Sequence, residues 1–173
     1  MAESVDFESL VTRFYGPLYQ FAFSLSRSEA DACDLTQQAF TIWAAKGKQL
    51  RDNSKVKTWL FTTLHREFLN SRRRQTRFPH AELGTVEAEL PTVSPASINR
   101  LDSSQVVATL ALVDEVFRAP VALFYLQDYS YLEIAEILGV PLGTVKSRLA
   151  RGISQLQQLL ARDIAADRSP PQL

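Results

Sequence analysis

Apolar residues recur at steps of three and four along almost the whole chain, and no segment alternates with a period of two. That spacing builds a stripe on a 3.6-residue helix and offers nothing to a pleated strand, so an all-α fold is expected. Phe7, Leu10, Val11, Phe14, Leu18, Phe21 and Leu25 make the first stripe, and Gly16-Pro17 inside it predicts a kink or a break into two helices. Ser28 followed by Asp31 predicts a cap opening a second helix over 29–45, with Leu35, Ala39 and Ile42 inward, widened by Phe40 and Trp43. Gly47 should end it. Residues 47–54 read as a polar loop. A third helix runs from Ser54 into Arg72-Arg73-Arg74, with Val56, Trp59, Leu60, Thr63, Leu64 and Phe68 facing inward.

Residues 78–101 break the pattern, with Pro79, Gly84, Pro91 and Pro95 set among Ser, Thr and acids. This composition predicts a flexible linker between two small helical domains, 1–77 and 102–163, with a disordered tail over 164–173. The second set should comprise helices over 102–117, 119–128, 130–138 and 142–162, with Pro120 tolerated near a first turn. Each half is small for an independent core.

The net charge of the 173 residues is zero, which argues against a polyanion partner only if charge is spread evenly. It is not. Residues 46–77 carry ten bases against Asp52 and Glu67, whereas residues 1–45 carry six acids against Arg13 and Arg27. A basic block of this density is the footprint a nucleic acid would meet; a solvated helix face is the plainer alternative.

Several classes are excluded or disfavoured. No apolar run approaches the ~20 residues of a membrane span, and Met1 to Asp6 lack the basic and apolar regions of a signal peptide. A cytoplasmic protein without membrane insertion is expected. Cys33 is the single cysteine and there are two histidines, so neither a disulfide nor a metal centre is expected, and no cofactor motif occurs. Cys33 reads as a small buried hydrophobe more readily than as a redox sensor. No carboxylate cluster, phosphate loop or nucleophile–base pair supports an enzyme.

The clearest motif runs from Ser130 to Arg151. A helix carrying Ile134, Ala135 and Leu138 should stop at Gly139, where a left-handed conformation is needed. After a short turn, Leu142, Val145, Leu149, Ile153 and Leu156 face inward on a second helix. Its opposite side presents Thr144, Lys146, Ser147, Arg148 and Arg151, and no acid occurs between Glu136 and Asp163. This is helix-turn-helix architecture with a basic recognition face suited to a DNA major groove.

With these residues in view, the chain resembles the extracytoplasmic-function group of bacterial RNA polymerase sigma factors. The C-terminal likeness is carried by Ser130-Tyr131-Leu132-Glu133-Ile134-Ala135-Glu136-Ile137-Leu138-Gly139 and by Gly143-Thr144-Val145-Lys146-Ser147-Arg148-Leu149-Ala150-Arg151. The N-terminal likeness is carried by Asp34-Leu35-Thr36-Gln37-Gln38-Ala39-Phe40 and by Trp59-Leu60-Phe61 with Asn70 and Arg72-Arg73-Arg74 downstream. One departure is Gly152 in place of the usual alanine, expected to weaken that helix by about 1 kcal/mol. Another is Leu112-Val113 in place of the usual Leu-Pro.

The resemblance implies a promoter-specificity subunit without chemistry of its own. Core RNA polymerase would be met through the clamp of its largest subunit and through its flap. Asp34, Leu35, Gln37, Gln38 and Phe40 would dock on the clamp, with core packing an equal reading for Phe40. Arg51, Asn53, Ser54, Lys55, Lys57, Arg66, Asn70, Arg73 and Arg74 would hold the minus-ten element and a flipped base. Thr144, Lys146, Ser147, Arg148 and Arg151 would read the minus-thirty-five element. An anti-sigma factor is the further partner the resemblance implies. The alternative is a stand-alone helix-turn-helix transcription regulator, with residues 1–77 as a dimerisation or sensing domain.

Overall fold

The computed structural model describes residues 6–77 and 103–167. The described residues contain helices and turns and no strand. The linker and the end of the tail lie outside them.

Helix α1, Phe7–Ser26, opens on Asp6, whose carboxylate accepts from Ser9 N at 3.1 Å and Ser9 Oγ at 2.8 Å. It runs unbroken through Pro17, contrary to the expected break. The carbonyl deprived of its donor there is that of Arg13, an exposed residue, so water can take the bond. Helix α2, Glu29–Lys46, starts at Ser28, whose hydroxyl accepts from Asp31 N at 3.3 Å. Helix α3 spans Val56–Arg77. Leu10, Leu18, Phe21, Leu35, Ala39, Leu60 and Leu64 join one core between these three helices.

Gly47 does not adopt the left-handed conformation of a helix stop. Its φ is −59°, and the chain continues into a 3₁₀ turn at Gly47–Gln49. Glycine is required there for space, because a Cβ would lie 2.5 Å from the Trp43 ring. A second 3₁₀ turn, Asn53–Lys55, follows, capped by Asp52 accepting from Ser54 N at 2.9 Å and Ser54 Oγ at 2.6 Å.

The second domain departs from expectation at its start. One helix was expected over 102–117; instead α4, Ser103–Leu110, ends early and α5, Glu115–Gln127, begins after a turn. That turn is pinned twice. Arg118 Nε donates to Val113 O at 2.6 Å, and Gln155 Nε2 donates to the Asp114 carboxylate at 2.7 Å. Pro120 therefore lies inside α5 rather than at its first turn, and the carbonyl it leaves free belongs to exposed Val116.

Helix α6, Tyr131–Leu138, has a full capping box between Ser130 and Glu133 and ends on Gly139 at φ +64°. Helix α7, Leu142–Asp167, outlasts the expected end at 162 and includes the first four residues of the expected tail. Gly152 explains its seat. A Cβ there would collide with Val121 Cγ2 and come within 2.9 Å of Phe117 Cβ, so the missing side chain permits α7 to lie against α5. The expected weak point is a close-packing point.

The two domains touch. Helix α1 packs on α4 and α5, and α3 packs on α6. Phe61 and His65 of α3, which the periodicity left off the core stripe, are buried at this junction.

Candidate nucleic-acid interface

The recognition face is presented as the pattern predicts. Val145, Leu149 and Leu156 are buried, while Lys146, Ser147 and Arg151 are exposed. Thr144 is half-buried, and its carbonyl accepts from Ser147 Oγ at 3.1 Å. Arg148 is half-buried as well. Its guanidinium lies close enough to His65 of α3 to add to the effect of burial, and together they push the imidazole down to about 4.

On α3 the exposed basic side chains are Arg66, Arg73 and Arg74, with Asn70 among them. Arg51, Asn53, Ser54 and Lys55 are exposed on the two 3₁₀ turns that lead into α3. Trp43 and Trp59 brace those turns from behind, edge to face at 5.1 Å. Trp59 is half-buried rather than fully inside.

Lys57 is placed differently from its neighbours. Its Nζ donates to Gln127 O at 3.1 Å, at the C-terminus of α5, and lies 4.8 Å from the Tyr129 ring centre. Burial holds its ammonium below the usual lysine range. This cation is taken up by the second domain.

The α2 motif divides in two. Asp34, Gln37 and Gln38 are exposed, but Leu35 and Phe40 are buried, so their side chains serve the core. Phe40 is covered by Phe7 and Tyr15, with ring centres at 6.4 and 6.3 Å. The surface above Phe40 is therefore made by Phe7 and Tyr15, both exposed. Cys33 is a half-buried free thiol. A groove of about 1270 Å³ runs between the domains, with Asp34, Gln38 and Arg74 on one wall and Leu112, Glu115 and Arg118 on the other.

Sequence reasoning missed Arg118. It is 7% exposed, and its Nη1 donates to Leu25 O at 3.0 Å across the domain junction. A lone arginine in a helical stripe gives no signal of a partner so distant in the chain. Among the described residues no group of acids, histidines or cysteines could hold a metal, and no helix is long and apolar enough to cross a membrane.

A two-lobed helical protein with a helix-turn-helix in one lobe and a basic helix in the other defines a class, the multi-contact DNA-binding transcription proteins. The comparisons narrow it. Residues 10–78 match the family model for sigma-70 region 2, and residues 105–156 match that for sigma-70 region 4. The ECF RNA polymerase sigma factor SigE of Mycolicibacterium smegmatis is 34% identical over 159 residues, covering 90% of this chain and 62% of that protein's length. The ECF sigma factor EcfG of Rhodopseudomonas palustris is 31% identical over 153 residues, covering 88% of this chain and 84% of that one. Among solved structures, the sigma factor RpoE of Bartonella quintana, in complex with the anti-sigma factor NepR, superposes with a TM-score of 0.72 at 29% identity, covering 92% of this chain and 99% of that one. CnrH, in complex with the cytosolic domain of CnrY, gives 0.60 at 26% identity, covering 91% and 88%. The chain belongs to the ECF sigma factors of bacterial RNA polymerase.

Proposed function

We propose that this chain directs promoter-specific initiation by binding core RNA polymerase and recognising two promoter elements. The observation that carries the reading is the presence, in one chain that matches both sigma regions, of two separate exposed basic surfaces. Lys146, Ser147 and Arg151 on α7 suit base edges and phosphates of the minus-thirty-five element. Arg66, Asn70, Arg73 and Arg74 suit the minus-ten duplex, and the 3₁₀ turns with Arg51, Asn53 and Ser54 suit an unstacked base. Lys55 adds phosphate attraction beside them. Asp34, Gln37 and Gln38 are the α2 side chains free to meet the polymerase clamp.

No step of this role makes or breaks a covalent bond in the chain's own site, and the protein works in the cytoplasm, where polymerase and chromosome are. An anti-sigma factor is its regulatory partner in this reading, since two structural relatives are held by such proteins. A partner seated in the interdomain groove would cover Asp34 and Gln38, the same residues offered to polymerase.

Reconstitution with core polymerase tests the role. The purified chain should form a stable complex with core and yield transcripts from a subset of genomic promoters. Failure to bind core, or tight sequence-specific binding to DNA without it, would overturn the reading in favour of a stand-alone regulator.

A further inference from the structure

We infer that the free chain masks its own DNA-binding surfaces, through a latch made by Lys57, Arg72 and Leu25 of the first domain with Gln127, Tyr129, Glu115 and Arg118 of the second. This inference rests on the proposed promoter-binding role and names how that site is regulated.

Four contacts form the latch. Lys57 donates to Gln127 O, where the negative end of α5 favours a cation. Tyr129 is 6% exposed and lies against α3, its ring 5.8 Å from that of Phe61. It is thrown back onto α3 by Asp128, which takes a left-handed conformation at φ 56° and lets Tyr129 N donate to Leu123 O at 3.2 Å. Arg72 pairs with Glu115 through both guanidinium edges, Nε to Oε1 at 2.8 Å. Arg118 donates to Leu25 O.

The consequence is geometric. Arg148 of the recognition helix stands near His65 of α3, so the two DNA-reading helices are neighbours. The minus-ten and minus-thirty-five elements are separated by about 25 base pairs, or roughly 85 Å at about 3.4 Å each. Helix α3 itself is only about 33 Å long. The closed chain cannot reach both elements at once, and it withholds one cation from each surface, Lys57 and Arg148. Opening is required for promoter binding. The latch is built to release: Arg72 and Glu115 are 42% and 41% exposed, and the Tyr129 hydroxyl is buried without a hydrogen bond.

The apparent affinity of a protein with a small competent fraction scales with that fraction, so loosening the latch should strengthen DNA binding by the free chain. The test titrates full-length protein, without polymerase, into a labelled random-sequence duplex of about 30 base pairs at fixed low salt. Tyr129→Ala, which changes no charge, should bind about tenfold tighter. Glu115→Gln should bind about two- to fivefold tighter. Glu136→Gln removes an acid nearer the recognition helix and outside the latch, and should change affinity less than about twofold. The inference is overturned if Glu115→Gln, whose side chain is exposed and whose fold should persist, binds no tighter than Glu136→Gln. It is equally overturned if a folded Tyr129→Ala matches wild type. Should wild type drive promoter-dependent transcription while neither variant tightens, the latch fails and the sigma role stands; absence of any transcript would instead remove the role.

Discussion

Gly152 of α7 faces Val121 of α5 so closely that a single added methyl would overlap the valine Cγ2. Two effects of Gly152→Ala oppose each other. Alanine gains about 1 kcal/mol of helix propensity, while overpacking a close contact costs about 1–3 kcal/mol. Phe117 Cβ on the same side blocks an easy shift, so packing should win. Urea unfolding should show a net loss of about 1 kcal/mol. A more stable variant would mean that α5 and α7 can move apart freely.

His65 sets a dependence on acid. Its folded-state value is about 4, against about 6.5 for a free imidazole, through burial first and Arg148 second. The unfolded chain therefore takes up a proton that the folded chain refuses. This contribution to stability is fully present above pH ~6.5 and declines as pH falls toward ~4, by roughly 3 kcal/mol in all. His65→Gln should flatten the curve of unfolding free energy across that window. An unchanged slope would assign the loss to other groups.

Gly47 and Trp43 fix the turns ahead of α3. Gly47→Ala would place a Cβ 2.5 Å from the indole and should cost about 1–3 kcal/mol. It should also shift tryptophan emission, since Trp43 rests on Trp59. Promoter opening in the holoenzyme, followed by permanganate reactivity of unpaired thymines, should fall more than core affinity does. Equal losses would show that the turns have no special part in melting.

The basic surfaces should separate functionally. Lys146→Ala and Arg151→Ala should weaken transcription from promoters that need the upstream element while core binding persists. Neutralising Arg73 and Arg74 should reduce the salt slope of holoenzyme binding to promoter by up to about 0.9 per lost phosphate contact. A slope identical to wild type would remove those two contacts from the account.

Much of this was legible in the chain alone. Ser130, Glu133 and Gly139 announce α6 and its stop through local hydrogen bonding and φ, which depend only on neighbours in sequence. Lys146, Ser147 and Arg151 follow once the helical phase is set. What was hidden depends on distant partners. Phe61 and His65 looked off-stripe because the second domain buries them. Arg118 meets a carbonyl 93 residues away. The break before α5 is held by Arg118 and Gln155, neither of which carries a turn signature. Phe40 and Leu35 looked available to a partner because periodicity alone cannot tell a wide core stripe from an interface.

The central claim is that one chain, on core polymerase, holds both promoter elements at once. Photo-crosslinking residues placed at Arg73 and at Lys146 in separate holoenzyme preparations test it on a single active promoter. The account predicts two crosslink windows on the same DNA, about 25 base pairs and roughly 85 Å apart, both lost without core. Overlapping windows, or a Lys146-site crosslink that forms equally well without core, would contradict it.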